Sequence, residues 1–171
     1  MFYLKTDMVA AMKGKAYEHL NCSAAQALNV VGERWALLII RDAMFGARRF
    51  VQFERSLGIS RNILTERLNT LVEEGLLEKR QTGETRHPEY VLTQAGRDLQ
   101  PVLLALTHWG DKHRPNPKGP RMVFKDRETG VPIQPMHAIT EDGKSLKSSD
   151  ITAVLGPGGD LPLTPSTKES R

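Results

Sequence analysis

Residues 50–74, FVQFERSLGISRNILTERLNTLVEE, contain two amphipathic runs joined by Gly58-Ile59-Ser60. A short helix joined to a longer one by a few residues containing Gly is the pattern of a helix-turn-helix unit. Phe50, Phe53 and Leu57 fall at i, i+3 and i+7, a single apolar stripe on a short helix that Gly58 ends. Ser60 then stands where an N-cap belongs. The helix it opens, over 61–74, carries Leu64, Leu68, Leu71 and Val72 on one face and stops at Gly75. The opposite face holds Asn62, Glu66 and Asn69, flanked by Arg61 and Thr65. It is rich in hydrogen-bonding groups rather than in the Glu–Lys pairs of a merely solvated helix.

The flanking segments supply a core for this pair. Ser23-Ala-Ala-Gln26 reads as a capping box opening a helix that runs to Val31, where Gly32 interrupts it. ERWALLIIRDAMF at 33–45 is apolar on most sides, so it should be surrounded by other helices at the centre of the core. After Gly75 the period changes. LLEKR at 76–80 and EYVLT at 89–93 are short β-prone runs separated by QTGETRHP, which predicts a hairpin with a long basic tip. Thr93 can cap a last helix over 94–113, kinked at Pro101 and lined on one side by Leu99, Val102, Leu103, Leu106 and Trp109. The expected fold is mainly α with small β. A winged helix-turn-helix domain spans 22–113, preceded by an arm at 1–21.

Beyond Arg114 the composition shifts. PNPKGP marks a linker at 114–120, and the runs at 123–133 and 138–146 read as two successive hairpins, with a further strand at 151–155. They form a β-hairpin appendage over 121–155, followed by a Gly/Pro/Ser/Thr-rich tail at 156–171 expected to be disordered.

The net charge of +4 permits contact with a polyanion without demonstrating it. Its placement is more informative. Five arginines and only two acidic residues, Glu54 and Glu66, occur between positions 48 and 67, and Lys79, Arg80, Arg86 and His87 follow. One cysteine, Cys22, excludes an intrachain disulfide and a Cys-rich zinc site. The charges within 1–21 break any signal-peptide core, and no stretch approaches the roughly 18 apolar residues that span a bilayer. A cytoplasmic location is expected, with no membrane partner.

The order helix, helix, short helix, tight turn, helix, hairpin, helix implies DNA binding. The second helix of such a unit enters the major groove, where its N-terminal residues face the base edges. Arg61 suits guanine, Asn62 adenine, and the Thr65 methyl the thymine methyl, with Asn69 a weaker reader. Ser60 and the helix N-terminus suit a phosphate, as do Arg49 and the preceding Arg48. Arg80, Arg86 and His87 lie where a wing would reach flanking DNA. Each has a plain alternative: Arg61 and Asn62 as solvated first-turn residues, Glu66 as a solvated partner, Arg67 as half of a structural ion pair.

The chain resembles the HxlR-type family of winged-helix regulators, relatives of the MarR family. The resemblance covers roughly residues 14–113. It rests on Cys22, Gly32 with Trp35, Arg49-Phe50, Gly58-Ile-Ser60, Leu64-Thr65 with Arg67-Leu68, Gly75-Leu-Leu-Glu, Tyr90, Leu92-Thr93, Gly96 and Trp109. It implies a homodimer joined through the first and last helices, which makes Leu99, Val102, Leu103, Leu106 and Trp109 dimerisation residues. Two recognition helices would then read a pseudo-palindromic operator, more commonly for repression. Cys22 resembles a position at which some relatives sense oxidants or electrophiles, and a helix N-terminus would stabilise its thiolate. An unidentified small-molecule effector is a further expected partner, with Trp35 and Trp109 as walls of its pocket or as ordinary core.

Some longer family members carry paired cysteines in a comparable appendage. This one has none, and His108, His113 and His137 lack ligand spacing, so no metal or cofactor is expected. No phosphate-cradling loop, HExxH or GxSxG occurs, and GPGG at 156–159 is a tail feature, so an enzyme is not expected. The alternative reading is a winged helix that contacts another protein without specific DNA binding.

Overall fold

The computed structural model describes residues 16–83 and 87–159. They fall in two compact units, one within Met1–Ala36 and Thr152–Arg171, the other Leu37–Ile151.

The first unit contains α1 (Ser23–Val31), with Ala25 and Val31 buried. Its N-cap is Cys22 rather than Ser23, and no side chain caps it. The expected capping box is absent because the helix starts one residue earlier, the Gln26 N–H donating to the Cys22 carbonyl at 2.9 Å. Gln26 instead turns its amide to the Leu20 carbonyl, Nε2 donating at 3.0 Å. The Asn29 side chain accepts from the Tyr17 N–H at 2.9 Å. Trp35 adopts φ +81, a left-handed conformation bulky residues ordinarily avoid, with the Arg34 guanidinium 5.2 Å from its ring centroid. This turn delays the next helix, α2, to Ala36–Met44.

In the second unit, Ile39 and Ile40 of α2 are fully buried, but Leu38 and, just past the helix, Phe45 are exposed, so this segment is not surrounded on all sides as its apolar pattern predicts. The two isoleucines share the core with Phe53 of α3 (Phe50–Leu57) and with Leu64, Leu68 and Leu71 of α4 (Arg61–Glu73). Gly58 ends α3 in the left-handed region at φ +60, where a Cβ would be strained. Ile59 is buried in the turn that follows.

Strands β1 (Leu77–Arg80) and β2 (Glu89–Leu92) form an antiparallel hairpin pairing Leu77 with Leu92 and Arg80 with Glu89. Leu77 and Tyr90 turn inward, and the Tyr90 ring meets Phe53 edge-on at 6.4 Å. Burial pushes the Tyr90 phenol above its ordinary pKa. The segment before α3 joins this wing, because the Tyr90 N–H donates to the Arg48 carbonyl at 2.8 Å.

The expected helix over 94–113 is two helices, α5 (Gln94–Arg97) and α6 (Gln100–His113). Thr93 caps the first, its Oγ1 accepting from the Gly96 N–H at 3.1 Å and donating to the Gly75 carbonyl at 2.6 Å. Instead of kinking a continuous helix, Pro101 occupies the first turn of the second, where its missing N–H costs nothing.

The two hairpins expected in the appendage are reduced to one bridge each, Lys125 with Pro132 and Ile139 with Ser145. Their turns consume the polar groups. Asp126 Oδ1 accepts from the Glu128 and Thr129 N–H groups at 2.8 and 2.7 Å, which holds its carboxyl below the usual range. The Thr140 hydroxyl bonded to Asp142 lowers that carboxyl likewise. A short 3₁₀ turn spans Ser148–Asp150, and no strand forms at 151–155. Residues 156–159 make a turn, the Gly159 N–H donating to the Gly156 carbonyl at 3.0 Å; the remainder of the expected tail lies outside the described residues.

Candidate nucleic-acid interface

Helix α4 presents its N-terminal end on the surface. Ser60 occupies the N-cap position with φ −65 and ψ 147, but its side chain makes no capping bond. The first-turn N–H groups, orphaned in any helix, therefore remain without that internal acceptor. Arg61, Asn62, Thr65 and Glu66 are exposed, whereas Leu64 and Leu68 are fully buried. The leucine face anchors the helix, and the polar face is left outward.

The side chains on that face differ in how committed they already are. Arg61 Nη1 lies 3.2 Å from Glu54 Oε2, and its guanidinium sits 5.1 Å from the Phe50 ring centroid, so it fastens α4 to α3. Its side chain is nonetheless 69% exposed. Thr65 Oγ1 donates to the Arg61 carbonyl at 2.8 Å, which leaves its methyl group and lone pairs for an outside partner. Asn69 is half-buried, and its Oδ1 accepts from Lys79 Nζ at 2.9 Å, a tie between α4 and the wing. Arg67 lies 3.6 Å from Glu66 with its side chain mostly covered, the structural pair the wheel suggested.

A second basic group gathers where the wing meets the loop before α3. Glu89 Oε1 lies 3.6 Å from Arg49 Nε, and Oε2 lies 3.9 Å from Arg48 Nη1. Both guanidiniums stay largely exposed while Glu89 is mostly covered. Gln52 fixes the backbone beneath them, its Oε1 accepting from the Arg48 and Arg49 N–H groups at 2.8 Å each. Neither Glu89 nor Gln52 stood out in the sequence. The one available signal was the position of Gln52, three residues after Arg49 at a helix start. Arg80 is exposed and pairs with Glu78 two residues before it on β1. His87 is exposed, and Arg86 lies outside the described residues.

The apolar stripe of α6 divides between two faces. Val102, Leu106 and Trp109 are exposed, Trp109 at 57%, and Trp109 stacks at 5.0 Å on His113. Leu103 turns to a different side, where it lines a cavity within its own unit, and Leu99 is half-buried. Neither Trp35 nor Trp109 lines that cavity. Cys22 is a half-buried free thiol. Among the described residues no group of His, Cys, Asp and Glu has metal-binding geometry, and no helix is long and apolar enough to cross a membrane.

A short helix, a left-handed glycine turn, a helix with an outward polar face and a two-stranded wing define a winged helix-turn-helix DNA-binding protein. The HxlR-like helix-turn-helix family profile matches residues 30–118, and the chain belongs to that family of transcriptional regulators, which are not enzymes. An uncharacterised HTH-type transcriptional regulator of Mycobacterium tuberculosis is 42% identical over 137 residues, covering 80% of this chain and 87% of the relative. Among solved structures, PA1607, crystallised as a candidate transcription factor, superposes with a TM-score of 0.72 at 36% identity over 78% of this chain and 94% of its own. PA1374 from Pseudomonas aeruginosa, described in the same terms, gives 0.58 at 40% identity over 81% and 95%. The reduced form of the redox regulator HypR gives 0.51 at 28% identity over 54% and 94%.

Proposed function

We propose that the chain acts in the cytoplasm as a homodimeric repressor whose two α4 helices read the halves of a pseudo-palindromic operator. The observation that carries this reading is the exposed Arg61, Asn62 and Thr65 on the first turns of a helix held by buried leucines. Arg61 and Asn62 offer bidentate hydrogen bonds to guanine and adenine, and the Thr65 methyl offers contact to thymine. Ser60, Arg49, Arg80, Arg86 and His87 supply phosphate contacts, with Asn69 at the far end of the reading face. Val102, Leu106 and Trp109 supply the dimer face, with Leu99 at its edge.

Footprinting on promoter DNA tests the reading. Two protected half-sites about one helical turn apart are expected, with affinity falling steeply as salt rises. Arg61→Ala with Asn62→Ala should abolish the footprint while sedimentation still shows a dimer. A normal footprint from that double variant means another element reads the DNA. Absence of any protected site would favour a winged helix that contacts protein instead.

The likeness to HypR, described as a redox regulator, supports a signalling role for Cys22 at the N-cap of α1. Diamide or methylglyoxal should then weaken operator binding by the wild type and leave Cys22→Ser unaffected. Equal responses from the two proteins remove Cys22 from the mechanism.

A further inference from the structure

The second unit holds a half-open cavity of about 750 Å³ between α2, α6 and the start of the appendage. That is the size of a site for a small organic molecule. Met44, Leu103, Leu104, Met122 and Phe124 provide apolar walls. Arg121, Met122, Phe124 and Arg127 all lie beyond the segment that matches the family, so this chain closes the chamber with residues the family profile does not supply. The closure is anchored. Phe124 meets the His108 ring edge-on at 6.3 Å, the Met136 N–H donates to His108 Nδ1 at 3.2 Å, and Arg121 Nη1 lies 3.2 Å from Asp111 Oδ1.

The charges on the wall are unbalanced in a particular way. Asp42 and Asp111 each already hold an arginine, through the pairs Arg41–Asp42 at 2.7 Å and Arg121–Asp111. Arg114 and Arg127 also line the chamber, and neither pairs with a carboxylate among the described residues. Arg114 Nη1 donates to the His113 carbonyl at 2.8 Å, so the Arg127 guanidinium and the remaining Arg114 nitrogens are left for an anion from outside. Asp42 is only 5% exposed and two Arg41 nitrogens converge on its Oδ1, so it stays fastened within the wall.

From these features we infer that the chamber binds a small amphipathic organic anion. The ligand carries a carboxylate for Arg114 and Arg127 and an apolar body for the walls. Its consequence for transcription rests on the operator-binding reading above; the binding itself does not. Calorimetric titration of the full chain with decanoate, decanol and decylamine tests it. One decanoate per chain is expected with Kd below about 1 mM. Binding should be weaker for decanol and absent for decylamine.

Arg127→Glu, on an exposed side chain, should weaken decanoate at least tenfold without changing the melting temperature. Leu104→Trp should fill the chamber and remove binding. Failure of decanoate to bind, equal binding of decylamine, or unchanged affinity in Arg127→Glu overturns the proposal. Decanoate binding by a protein that protects no DNA would leave this site standing and overturn the operator reading. A footprint without decanoate binding would do the reverse.

Discussion

Arg61 does two jobs at one position. Its bond to Glu54 and its place over the Phe50 ring link the two helices, yet most of the side chain remains open to solvent. Exposed pairs of this kind contribute roughly 0–1 kcal/mol. Arg61→Ala alone is therefore expected to lower the urea midpoint slightly as well as weaken operator binding. Asn62→Ala should alter base preference with no change in stability, which a binding-site selection and a melting curve read separately. Asp126 gives a residue-scale prediction on pH. Its carboxyl is held low by the N–H groups of Thr129 and Glu128, so its contribution to the turn is complete above the ordinary carboxylate pKa. That contribution disappears as pH falls through the lowered value. The protection of the Thr129 amide, corrected for its intrinsic exchange rate, is expected to fall as the pH drops through that value while core protection is retained. Uniform loosening of the whole protein there would contradict it.

At the scale of elements, the junction between the wing and α5 is tightly packed. Gly96 is buried, and a Cβ there would collide with the Leu76 carbonyl and come within 2.8 Å of Leu92 Cδ2. The Leu76 carbonyl is backbone and already accepts from the Thr93 N–H at 3.1 Å, so it has little room to yield. Gly96→Ala should destabilise by about 1–3 kcal/mol. Gly110, in the last turn of α6, has nothing within 4 Å of an added Cβ, and Gly110→Ala should stabilise by about 0.5–1 kcal/mol through helix propensity. Denaturant unfolding of both variants checks the contrast. Had α5 and α6 been the one continuous helix that the pattern at 94–113 suggests, Pro101 would have lain in its interior.

At the scale of the whole molecule, α6 connects the proposed dimer to the chamber. Leu103, Leu104 and Thr107 point to the cavity, and Val102, Leu106 and Trp109 lie exposed on the same helix. A ligand seated against the first set therefore presses on the element that carries the second. Trp109→Asp should give a monomer in sedimentation while retaining the helical circular dichroism of the wild type. It should also lose the paired footprint. A dimer that persists in this variant would place the interface elsewhere.

Much of the architecture was legible from residue pattern, because the signals are local. The leucine period of α4, the Gly58 turn, the Thr93 cap and the change to strand period after Gly75 each depend on neighbours a few residues away. Tertiary contact decided the rest. Cys22 displaced Ser23 as the cap because the Cys22 carbonyl accepts the first intrahelical bond, from the Gln26 N–H. Glu89 gathers Arg48 and Arg49 from 40 or more positions away, and Lys79 reaches Asn69 across the base of the wing. The stripe Leu99–Trp109 reads as one face in a helical repeat, but the appendage covers only part of it, sending Leu103 to a cavity and leaving Trp109 outside. Periodicity shows which side chains share a side of a helix. What that side meets depends on segments distant in the chain, and packing alone brings them together.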